Sequence, residues 1–151
     1  MEKSILRGLI IILSVLLATS AFAQTGPGMR WQGSGGWGMG GKYQHMYDPQ
    51  TVESVKGTVE SIETPAPMRG MHHAVIIVLK TDKGTIPVHL GPEWYIERLD
   101  VKIQKGDVIG VRGSSVEFNG RHIIIAAEVQ KGSQVLTLRD DKGIPVWAGW
   151  K

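Results

Sequence analysis

The sequence predicts an all-β protein, a small OB-like Greek-key barrel with one short helix between its third and fourth strands, preceded by an export signal and a glycine-rich arm. Three observations carry this expectation. From Thr51 onward, apolar residues either alternate with polar ones or run in short β-branched blocks, at strand length rather than helix length. Turn signals separate these blocks at short intervals, among them Asn119-Gly120, the strongest hairpin dipeptide in the chain. The one departure from β patterning is PEWYIERL (Pro92–Leu99), where proline followed by glutamate fits a helix of one or two turns. A generic small β-sandwich is the main alternative.

The elements follow in order. Lys3 and Arg7 precede the apolar run Gly8–Ala18, and Ala21-Phe22-Ala23 supplies a small-x-small cleavage site. That is the layout of a cleaved Sec signal peptide over residues 1–23, its apolar core too short to span a bilayer comfortably, with a retained membrane anchor as the alternative. Residues 24–46 are dense in glycine with Met29, Trp31, Trp37 and Met39 scattered among them. Such a stretch has a large ordering entropy and no periodic apolar face, so a flexible arm is expected. The barrel domain is placed at 47–151. Thr51–Glu63 alternates as a half-wet strand, with Gly57 read as a bulge or bend. His73–Lys80 is almost continuously apolar, as in a strand buried on both faces.

After the turn at Thr81–Gly84, Thr85–Leu90 returns as a hairpin partner. Pro87 cannot donate to a ladder and marks this strand as an edge. Asp107–Phe118 and Arg121–Gln130 flank Asn119-Gly120, Gln134–Arg139 is a short sixth strand, and the aromatic tail Ile144–Trp150 is expected to cover a barrel end.

Composition narrows the chemistry. The chain of 151 residues carries a formal charge of +3, which falls to +2 when Glu2, Lys3 and Arg7 are removed with the signal. Interspersed charge of that size is not the footprint of phosphate-backbone binding, so no nucleic-acid partner is expected. There is no cysteine, which excludes disulfides, thiolate metal sites and covalent haem. Catalysis finds no support either. Ser114-Ser115 has no recognisable His/Asp partner pattern, Gly33–Gly41 lacks the Lys-Ser/Thr end of a phosphate loop, and Asp140-Asp141 reads as a turn.

Two constellations remain. Met68, Met71, His72 and His73 lie in a loop entering a strand, and thioether and imidazole donors suit copper or iron. His45 and Met46 could join them from the arm. Against this, His72 and His73 would point to opposite faces of a strand. The second is TIPVHLGPEWY (Thr85–Tyr95), where His89, Trp94 and Tyr95 could line a ligand groove. Its structural alternative makes Trp94 a barrel plug.

Four phrases, VHLGPEWY (Val88–Tyr95), KGDVIGVRGS (Lys105–Ser114), IIAAEVQKG (Ile124–Gly132) and LRDDKGIPVWAG (Leu138–Gly149), resemble the domain shared by the magnetosome-associated proteins MamS and MamX. They also resemble a wider set of exported OB-like proteins of metal-respiring bacteria. The resemblance spans roughly Tyr47–Trp150. It implies a periplasmic or membrane-surface β-domain, with magnetosome members linked to iron-mineral maturation and redox balance. The haem-attachment motifs of MamX-type proteins do not carry over to a chain without cysteine. The expectation is a non-enzymatic periplasmic accessory module, without a membrane span after processing, acting with an envelope redox or metal-handling protein. A His/Met metal-binding protein is the competing class, and oligonucleotide binding is a third by fold analogy alone.

Overall fold

The structure, a computed structural model, describes residues 35–38 and 40–149. The segment 1–23 read as an export signal, residues 24–34 of the expected arm, Met39, and Trp150 of the expected aromatic tail lie outside the described residues. Six strands form one sheet: β1 (Val52–Glu63), β2 (Ala74–Thr81), β3 (Gly84–Pro92), β4 (Val108–Phe118), β5 (Arg121–Lys131) and β6 (Gln134–Thr137), with the single-turn helix α1 (Glu93–Ile96) between β3 and β4. Their order is β3-β2-β1-β4-β5-β6, and an added β3–β5 pairing closes the first five strands into a barrel. This is the expected OB-like architecture.

Local chemistry explains the joints. Asn119 and Gly120 both have positive φ, 52° and 74°, which gives the β4–β5 hairpin the primed turn that matches strand twist. Gly57 is not a bulge. A Cβ there would collide with the backbone carbonyl of Lys80, so glycine allows β1 and β2 to approach closely. The β1 irregularity falls later, between Val59 and Ser61.

The closing seam is short. β3 and β5 pair in parallel only at Val88↔Ile124 and His89↔Ile125. Immediately beyond, each strand carries an extra residue. Leu90 is unmatched between the pairs Val75↔Gly91 and Ile76↔His89, and Ala127 is unmatched between Arg112↔Glu128 and Gly113↔Ala126. Arg139, which follows β6, fills the gap between the two strands. Its Nη1 donates to the carbonyls of Leu90 (3.2 Å) and Ala126, one on each strand. A buried guanidinium thus continues the seam where the ladder stops. In the other direction the strands separate at Pro87. The edge expected for the third strand is therefore partial: Gly84–Pro87 pairs with β2 alone, and Val88–His89 joins β5.

Residues 35–38 and 40–46 are not a loose arm. Trp37 and Tyr43 are each 2% exposed and belong to the core. Trp37 donates from Nε1 to the His72 carbonyl (3.0 Å), Gln44 Nε2 donates to the Gly143 carbonyl (2.5 Å), and the Asp48 amide donates to Ser114 Oγ (2.9 Å). Glycine density suggests disorder, but buried aromatic area outweighs the ordering cost. The stretch is a strap across the barrel wall. Its counterpart is Trp147, on the C-terminal 3₁₀ turn Val146–Gly149, whose indole donates to the Trp37 carbonyl (3.1 Å). Trp147 lies against Gly91 and is fully buried, while Trp94 is half-buried. The plug expected at Trp94 is thus Trp147.

Candidate binding cleft

Where β3 and β5 part, an open cleft of about 330 Å³ remains. Pro65 and Pro67, from the β1–β2 loop, form one wall. Pro87 lies on β3, Phe118 and Arg121 flank the β4–β5 turn, and Ile123 lies on β5. Glu63 and Arg121 give the rim opposite charges. The cleft is therefore apolar in its walls and polar at its edge.

His89 also lines the cleft, although it is only 3% exposed. Tyr43 of the strap covers it. The two rings stack at 5.9 Å and 8°, and the Tyr43 hydroxyl shares a 2.8 Å hydrogen bond with Nδ1. Phe118 approaches edge-on at 5.7 Å. Burial, helped by the positive charge of Arg139, lowers the His89 pKa to about 4. The imidazole is then neutral at pH 7. Burial likewise raises the Tyr43 phenol pKa, so both partners stay uncharged.

The structure separates the three residues expected to share a groove. His89 faces Tyr43 and Phe118, whereas Tyr95 packs against Trp94 (6.2 Å) and Trp147 (5.3 Å) near α1. Of the three, only His89 lines the cleft.

The Met/His loop is likewise engaged in packing. The His72 ring lies against Gly35 and Met71 against Gly36, both on the strap, and the His72 amide donates to the Gly35 carbonyl (2.8 Å). His73 Nδ1 lies 2.7 Å from the Thr64 carbonyl. Met68 and Met46 pack against the core as half-buried side chains, and His45 lies in the 3₁₀ turn Gln44–Met46. Among the described residues, no three His, Asp or Glu side chains gather as a metal-ligand group.

Two features escaped sequence reasoning. Arg139 looks like an ordinary charge before a turn, and only the fold places it between two bulges. Its Nε and Nη2 are buried without a hydrogen-bond partner, and its Cζ sits 4.9 Å from the centre of the Trp147 ring. Burial lowers its pKa. The second is a hydrogen bond between Ser115 Oγ and His122 Nε2. It joins neighbouring strands, a pairing recoverable only by fixing the hairpin register at Asn119-Gly120. The pair is exposed and does not line the cleft. Asp140 is the turn former expected, accepting at Oδ1 from the amides of Lys142 and Ile144, both at 2.9 Å.

A closed five-stranded barrel with one short helix and a lateral cleft is an OB-like architecture that hosts many unrelated functions and by itself fixes no chemistry. A profile of the MamS/MamX magnetosome protein family matches residues 51–136, more than half of the chain, and the chain belongs to that family. Membership places it among magnetosome-associated accessory proteins. The search of curated proteins gave no match. Among solved structures, the chain is similar to part of a crystal structure of TiaS in complex with an isoleucine tRNA, AMPCPP and agmatine. That match has 19% identity and a TM-score of 0.38, covering 53% of this chain and 18% of that one. The chain thus spans less than a fifth of that structure's length. Among the described residues, no helix is long and apolar enough to cross a membrane.

Proposed function

We propose that this protein is a non-enzymatic periplasmic accessory module that holds an extended segment of an envelope redox or metal-handling protein in the seam cleft. One observation carries the reading: the β3–β5 ladder stops at Val88 and Ile124 although both strands continue. Residues 84–87 of β3 and 121–123 of β5 then offer strand edges on either side of a cleft. An extended peptide can add its own backbone hydrogen bonds to such edges, while proline and phenylalanine walls contact its side chains. Family membership supports an accessory role. The competing metal reading is less favoured because His73 Nδ1 contacts the Thr64 carbonyl while His72 and Met71 pack on the strap.

Titration of isotope-labelled protein with strand-forming heptapeptides of alternating threonine and valine tests this. Amide shifts are expected at Thr85, Ile86, Arg121 and His122, and Phe118→Ala should weaken binding about tenfold, equivalent to about 1.4 kcal/mol. Shifts confined to the outer edge of β6, or no shifts at millimolar peptide, would overturn the proposal.

A further inference from the structure

We propose a second binding site at the α1 end of the barrel, which takes the alkyl chain of a medium-length carboxylate. It is a half-open pocket lined from the core-facing side of the strands, whereas the cleft is lined from their other side. The two share no lining residue, but they are divided by the same wall: Ile62, Val75, Ile77 and Leu90 line the α1-end pocket, while their chain neighbours Glu63, Ile76, Val78 and His89 line the cleft. Strand alternation produces that division.

The cavity exists because α1 has only four residues. One turn does not fill the end of a five-stranded barrel, and about 180 Å³ remains beneath it. Ile96 of α1, Val101 and Ile103 complete the lining with Leu136, so the walls are apolar. Ile62 at the pocket is 39% exposed, one of few large apolar side chains left open to water among the described residues. An apolar volume with an open apolar rim is suited to an alkyl chain.

The mouth determines the head group. Glu97 and Lys102 are its charged residues. Lys102 Nζ donates to the backbone carbonyl of Glu97 (2.6 Å), and among the described residues it has no carboxylate partner. Its backbone is fixed from the other side, since Lys131 Nζ donates to the Lys102 carbonyl (2.7 Å) and pairs with Asp107 (2.9 Å). The ammonium is thus an exposed cation tethered at the rim of an apolar pocket, with donors to spare for a carboxylate. Glu97 opposes an anion on its own side, so the head must lie on the Lys102 side.

Calorimetry of the full chain with butanoate, hexanoate and octanoate, and with octylamine as the opposite-charge control, tests the assignment. Affinity should tighten about fourfold per added methylene until the cavity is full. Octanoate should bind and octylamine should not. Lys102→Glu should weaken octanoate at least tenfold and make octylamine the better ligand. Ile62→Trp, at the exposed rim, should block entry, with methyl shifts at Ile77 and Ile103 as the readout in the unsubstituted protein. Affinity indifferent to chain length, methyl shifts at Ile76 and Ile123 instead, or a Lys102→Glu chain that binds octanoate unchanged would each overturn it. The charge-reversal result stands independently should Ile62→Trp fail to fold.

Discussion

Protonating His89 is easier in the unfolded chain than in the folded one. Its pKa falls from 6.5 to about 4 on folding, so the neutral form stabilises the barrel above pH 6.5. That contribution declines as pH drops through this window and is gone below about pH 4. The expected loss is about 3 kcal/mol. Urea unfolding at pH 7.5 and 4.5 measures it, and His89→Gln should show a correspondingly smaller change than the parent. Tyr43→Phe removes the hydroxyl partner of Nδ1 and should cost about 1–2 kcal/mol at neutral pH. Arg139→Lys should cost about 2 kcal/mol, because an ammonium on a flexible stem cannot bridge two carbonyls and also sit over the Trp147 ring. Thermal unfolding of the variant tests it. His89 is recognisable in the sequence as an unusual residue, but its partner is not. Tyr43 lies 46 residues away in a stretch whose glycine content points toward disorder.

The strands are the most legible elements, since alternation and turn dipeptides are local properties. Asn119-Gly120 identifies its hairpin, and β1, β2, β4 and β5 start and stop within a residue or two of their predicted bounds. The bulges at Leu90 and Ala127 are not legible, because an unmatched residue is defined by the opposite strand rather than by its own sequence. Gly57 shows the same limit: its glycine is required by a carbonyl on β2. Gly57→Ala should therefore cost about 2 kcal/mol. Gly110→Ala, on the next strand, should be nearly neutral, since its Cβ would meet only Gln130 Cβ at 3.9 Å. Chemical denaturation of the two variants side by side separates close backbone approach from a general intolerance of alanine in this sheet.

For the whole molecule, the barrel is incomplete without its two ends. Trp37 and Tyr43 from the N-terminal strap, and Trp147 from the C-terminal turn, form one aromatic cluster over the wall that carries His89 and Phe118. A chain beginning at Tyr47 would lose two fully buried aromatics, about 3–5 kcal/mol each by truncation. That is comparable with the whole stability of a small domain. Such a chain should melt far below the parent and bind a hydrophobic dye, which circular dichroism and fluorescence would register. The domain boundary expected near residue 46 thus gives way to a folded unit that includes the strap. Sequence periodicity misses it because irregular segments held by aromatic anchors have no period to detect.

The indole of Trp147 donates to the carbonyl of Trp37 across 110 residues. The two partners are made far apart in time, with every strand of the barrel between them. A growing chain can form the β1–β2–β3 meander, but it cannot insert Arg139 or close the Trp37–Trp147 contact until residues 139–147 have been made. The native state is therefore withheld from partial chains.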